Sequence, residues 1–103
     1  MKRAFRTEPE ASEELEESAN WYTDRRAGLG VEFIEAFDAA LEQIGRWPEI
    51  GHLVPHVPAD VPARRFPLSR FPYHVAYVEW DGVIRVLAVA HDHRKPGYWS
   101  SRL

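Results

Sequence analysis

The chain has 103 residues, 45% of them hydrophobic, with four Trp, four Tyr, five Phe, no Cys and a net charge of −3. This composition supports one domain over residues 1–103 with a single core. It excludes disulfides and thiolate metal centres, and no apolar run is long enough to span a bilayer.

The N-terminus, Met1-Lys2-Arg3-Ala4-Phe5, lacks the apolar stretch of a signal peptide, so a cytoplasmic location is expected. Residues 2–6 form a short, charged candidate strand suited to a sheet edge. Thr7-Glu8-Pro9-Glu10 follows with the spacing of a capping box, and Pro is tolerated in the first helical turn. Ala11, Leu15, Ala19 and Tyr22 then recur as a helical stripe. The acidic run Glu13-Glu14-Glu16-Glu17 reads as a solvated face. Gly28 is a natural helix terminator. A second helix is expected from near Val31, with Phe33, Ile34, Phe37, Ala40, Leu41 and Ile44 on its apolar face and Pro48 ending it after Trp47. The short link between two long helices predicts an antiparallel helical hairpin.

Residues 48–62 hold Pro48, Pro55, Pro58 and Pro62 and read as a loop. Arg64–Leu68 is a candidate strand near an edge or bulge, because Pro67 cannot donate to a ladder. Tyr73–Trp80 and Val83–His91 are the strongest strand patterns, and Asp81-Gly82 between them has the chemistry of a two-residue type I′ hairpin. That turn predicts a register: Trp80 opposite Val83, Val78 opposite Arg85, Ala76 opposite Leu87, His74 opposite Val89. These pairs share one face. Glu79–Ile84, Tyr77–Val86, Val75–Ala88 and Tyr73–Ala90 share the other. The second set is assigned to the helices. The first is assigned to an open side, where His74 and His91 become diagonal neighbours. The expected fold is α+β: an antiparallel sheet with an N-terminal helical hairpin packed on one face, in the order β-α-α-β-β-β.

Charge is unevenly shared. Residues 1–60 carry six Lys/Arg against thirteen Asp/Glu, and residues 61–103 carry seven against three. The basic half suits an anionic or acidic partner, although acidic helices also serve simply for solvation. His52 and His56 are four apart but flank Pro55 in a loop, so no metal site is expected there. His91-Asp92-His93 is equally weak, because alternate strand residues point to opposite sides. No cofactor is expected, and no Gly-rich phosphate loop is present.

Trp21-Tyr22, Gly28-Leu29-Gly30 with Phe33, Phe71-Pro72-Tyr73 with Tyr77, Val86–His91 and Arg94-Lys95-Pro96-Gly97-Tyr98-Trp99 together resemble the RelE/ParE superfamily, the toxins of type II toxin–antitoxin systems. The resemblance implies a cognate antitoxin as partner and one of two activities. RelE-like members cleave mRNA on the ribosome, and ParE-like members poison DNA gyrase without nuclease activity. A toxin that only binds its antitoxin is a third outcome. Carried over by position, the resemblance implies His74, His91, Arg94 and Tyr98 as catalytic residues. It implies Arg65 as a basic residue on the preceding strand, and Arg65, Arg70, Arg85 and Lys95 are the expected RNA contacts. Internal cleavage of RNA needs a base, an acid and a cation near the phosphorane, and these side chains can supply all three without a metal. On that ground the sequence leans toward ribosome-dependent mRNA cleavage. Asp92 departs from the pattern, because a basic residue is often found at that point. Trp99 is expected to pin the tail by packing, and Arg70 could anchor the loop before the hairpin.

Overall fold

The computed structural model describes residues 3–55, 57, 60 and 62–103. Met1, Lys2, His56 and Pro58, named above, lie outside them. The elements run β1 (Ala4–Thr7), α1 (Pro9–Arg25), α2 (Leu29–Arg46), β2 (His52–Leu53), β3 (Arg64–Pro67), β4 (Tyr73–Trp80), β5 (Val83–His91) and a 3-10 turn at Ser100–Arg102. The expected order is present, with the two-residue β2 added. The sheet order is β1-β5-β4-β3-β2. All neighbours are antiparallel except β1, which lies parallel to β5.

The strand runs straight into the first helix. Thr7 pairs with Val86, and the Glu8 N–H donates to the Val86 carbonyl at 2.9 Å. Thr7 is therefore committed to the sheet, and the expected capping box does not form; Glu8 occupies the N-cap without a side-chain cap. Pro9 begins the helix, where its missing N–H costs nothing. The chain turns at Gly28, whose φ of 86° suits glycine, and α2 starts at Leu29, two residues earlier than expected. Gly30 lets the helices meet. A Cβ there would lie 2.4 Å from the Ala19 carbonyl oxygen.

α2 contributes Phe33, Phe37, Ala40 and Ile44 to a core against Val75, Tyr77, Ile84, Val86 and Val89 of the sheet. Each large side chain buried this way stabilises the fold by about 1.5–3 kcal/mol. Asp81 (φ 51°) and Gly82 (φ 77°) make the expected turn.

The predicted register holds from Trp80↔Val83 to Tyr77↔Val86, then shifts. Ala76 pairs with Ala88, Val75 with Val89, His74 with Ala90 and Tyr73 with His91. Leu87 is the extra residue of a β-bulge, and beyond it every β5 side chain changes side. Leu87 and Ala88 both join a second cluster with Ala63, Ala76, Val78 and Trp99 on the far face of the sheet. That face, expected to be open, is instead covered by the C-terminal tail and the segment before β3.

Candidate functional site

The bulge decides where the proposed chemistry falls. His91 now belongs to the helix side, beside Tyr73, with ring centroids 5.0 Å apart. His74 stays on the tail side. It is only 7% exposed, and its Nδ1 lies 2.9 Å from Asp92 Oδ1. The two histidines expected to be diagonal neighbours are on opposite faces. The Asp92 N–H donates to the Pro72 carbonyl at 2.9 Å, so the acid found in place of a basic residue closes the end of β5 onto the start of β4.

β1 pairs with residues 83–86 alone, which leaves the outer edge of β5 without a strand beyond Val86. Side chains complete it. Glu14 of α1 accepts from the Val89 N–H at 3.1 Å, and Arg102 of the tail donates to the Leu87 carbonyl at 3.0 Å. Glu14 and Arg102 meet through two hydrogen bonds of 2.9 and 3.1 Å. Their side chains are 17% and 16% exposed. A forked pair of this kind is strong because both partners are charged and geometrically matched. The Tyr98 hydroxyl donates to the same carboxylate at 2.6 Å. Glu14 therefore ties α1, β5 and the tail together, contrary to the expectation of a solvated acidic face. It sits three residues after Ala11 and four before Ser18, on the flank of the buried stripe, and that spacing is the signal that could have found it.

This hub changes what Tyr98 can do. Burial, and then the bond to Glu14, push its phenol well above the ordinary tyrosine range. Its hydroxyl proton is held by a carboxylate, which makes it a poor base. The Arg94 guanidinium lies 3.9 Å from the Tyr98 ring centre, a cation–π contact. Arg85, expected on an open face as an RNA contact, bonds Glu8 at 2.7 Å and also the Arg102 carbonyl. The Arg85 bond holds the Glu8 carboxyl below its usual value. Arg70 adopts φ 69° and reaches Glu32 at 3.4 Å, so it links the loop before the hairpin to α2. Arg65 pairs with His52 and Ala76 across the outer strands. Lys95 is exposed on the tail.

His91, Arg94, Glu14, Glu17, Ser18, Tyr73 and Val89 line a cleft of about 120 Å³. It continues, through Glu17, Ser18, Tyr73 and His91, into one of about 300 Å³ that adds Trp21 and Tyr22. Of the four proposed catalytic residues, the fold brings His91, Arg94 and Tyr98 to this end of the molecule and leaves His74 behind the sheet. A base candidate and a cation therefore share the cleft, while the Tyr98 hydroxyl is turned away to Glu14. Among the described residues no group of three or more His, Asp or Glu could hold a metal ion.

A separate apolar cleft of about 450 Å³ runs between α2 and β3, lined by Ala36, Ala39, Ala40, Ile50, Phe66 and Leu68 among others. Ile50 also borders a groove of about 670 Å³ that contains the exposed Trp47. The Tyr77 hydroxyl fixes the loop between them. It donates to the Pro48 carbonyl at 2.7 Å and accepts from the Gly51 N–H at 3.0 Å. Among the described residues no helix is long and apolar enough to cross a membrane.

The family model for the ParE toxin of type II toxin–antitoxin systems, parDE, matches residues 5–96. Among solved structures, the chain is similar to one from the chromosomal ParDE TA system of P. aeruginosa. That likeness has a TM-score of 0.62 and 17% identity, over 87% of this chain and 96% of the other. A search of the curated proteins finds no match.

Proposed function

The chain belongs to the ParE toxin family of type II toxin–antitoxin systems, and from that premise we propose that it is a cytoplasmic inhibitor of growth that binds DNA gyrase and does not cut RNA. The observation that carries this reading is the dispersal of the nuclease set. His74 and His91 lie on opposite faces of the sheet, as their pairing across the Leu87 bulge requires. The Tyr98 hydroxyl and Arg85 are both held by carboxylates. What remains at the cleft, His91 and Arg94, suits contact with a partner better than a complete acid–base cycle.

A cognate antitoxin is the expected second partner. The apolar cleft between α2 and β3, with Trp47 at its end, offers that partner the kind of surface on which an amphipathic helix docks. Ribosome-dependent mRNA cleavage is the competing reading, favoured by the proximity of His91 and Arg94 in one cleft.

Purified toxin tested in parallel on gyrase and on translating ribosomes separates the two. We expect loss of DNA supercoiling and accumulation of cleaved DNA complexes, with ribosome-bound mRNA intact and the DNA-damage response induced. Cut mRNA with normal supercoiling would overturn the gyrase reading. An induced culture that grows normally would remove toxicity altogether.

A further inference from the structure

The wider part of the cleft is lined by aromatic rings and one carboxylate. Trp21, Tyr22, Tyr73, His91 and His93 form a continuous run of rings, each edge-to-face with the next. The centroid separations are 5.1, 6.1, 5.0 and 5.0 Å in that order. The run passes from α1 across the sheet to the start of the tail. Tyr22 is fixed from behind by Phe33 at 5.3 Å and Phe71 at 5.0 Å, so its face and hydroxyl are held in place. Trp21 is 50% exposed at the mouth. Glu17 is on the same wall.

The polar groups of this wider part include the acceptor-only Glu17 carboxylate and the Tyr22 and Tyr73 hydroxyls, which accept as well as donate. Among the described residues, the Tyr22 and Tyr73 hydroxyls have no hydrogen-bond partner, and the Glu17 carboxylate has no ion pair. Burial raises the Tyr22 phenol, and Tyr73 beside it adds to the shift. The nearby cations do not line this wider part. Arg94 lies on Tyr98, and Arg25 lies over Trp21 at 4.0 Å without lining the cleft. Aromatic faces, a carboxylate and phenol oxygens converging on about 300 Å³ are the complement of a planar cation.

We infer that this cleft receives an arginine side chain from a protein partner, with the guanidinium against the Trp21–Tyr22–Tyr73 rings and its N–H groups directed to Glu17. Arginine fits better than lysine, because its flat, weakly hydrated head stacks on rings and carries several donors at once. A nucleotide base could also stack there, but the unpaired carboxylate opposes its phosphate. The inference depends on the lining of the cleft and not on gyrase as target, so either can fail without the other.

The test uses the full chain and the Trp21 indole N–H resonance, assigned by its loss in Trp21→Phe. N-acetyl-arginine amide should shift it saturably. Glu17→Gln should weaken that binding about threefold, the loss expected for a solvent-exposed ion pair, with the melting temperature unchanged. Tyr73→Phe should weaken it less. Adenosine monophosphate should give no saturable shift, and spermidine should bind more weakly than the arginine probe. Three results would overturn the proposal: an arginine probe that gives no saturable shift, whether or not a nucleotide binds, spermidine that binds at least as tightly, or an affinity indifferent to Glu17→Gln.

Discussion

The two faces of this sheet are covered in different ways. On one, two long helices bring Phe33, Phe37 and Ile44 against β4 and β5. On the other, a short tail and an irregular segment bring Trp99, Ala63 and flanking Val54, Val57 and Leu103 against Leu87 and Ala88. The helix face is held by periodic burial along α2. The tail face is held by one large ring and by the Glu14–Arg102–Tyr98 hub at its margin. A helical face spreads its stability over many side chains, whereas the tail face concentrates it in a few. The proposed contact surface lies where the two meet, between α1 and the end of β5.

The sharpest way to break that comparison is to remove the single ring. Trp99 is 1% exposed, so Trp99→Ala is expected to cost about 3–5 kcal/mol, as much as Phe33→Ala on the helix face. Denaturant unfolding of both variants measures it. A cost below about 1 kcal/mol for Trp99→Ala would make the tail a loose cover and not a second core.

The hub comes next. Glu14→Gln removes the charge that Arg102 faces and leaves a partly buried guanidinium under-compensated, at a cost of about 2–3 kcal/mol. Combined with Arg102→Met in a double-mutant cycle, the coupling should be about 1.5–3 kcal/mol. A coupling near zero would mean that Trp99 holds the tail without the ion pair. The free energy also bears on the cleft, because Tyr98 supports Arg94 through its ring and is itself held by Glu14. Tyr98→Phe keeps the ring and should keep target binding. Tyr98→Leu should lose it.

How far the sequence revealed these two faces follows from what each depends on. The apolar spacing on α2 and the Asp81-Gly82 turn are local signals, and they fixed the helical hairpin, the long β-hairpin and its first four pairs. The bulge at Leu87 has no local signature. Its residues are uniformly apolar, so an extra one does not disturb the alternation that a reader can see, yet it moves His91 to the opposite face from His74. The capping box failed for a non-local reason as well, since Thr7 was claimed by β5. Glu14's spacing places it on the flank of the buried stripe, but its role was not legible there because its partners, Tyr98 and Arg102, are eighty-odd residues away. The packing role expected of Trp99 was legible from its large apolar ring in the tail, although the face that it covers was expected to be open.

The smallest effect concerns alkaline pH, and it reports on both faces. Burial raises the phenols of Tyr22, Tyr77 and Tyr98 in the folded protein, most strongly at Tyr98, where Glu14 adds to it. An unfolded tyrosine titrates near about 10. A group whose folded value is raised contributes stability that is complete below its unfolded value and is lost as pH climbs toward the folded one. The protein should therefore weaken above about pH 10, with these phenols ionising late or only on unfolding. Tyr98→Phe should lower stability at neutral pH by about 1.5 kcal/mol, through loss of one hydrogen bond to a carboxylate. It should also make the alkaline decline shallower. Phenolate absorbance followed alongside unfolding checks both. If Tyr98→Phe left the alkaline decline unchanged, the Tyr98–Glu14 bond would not contribute to the link between tail and helix, which would rest on Trp99 and the Glu14–Arg102 pair.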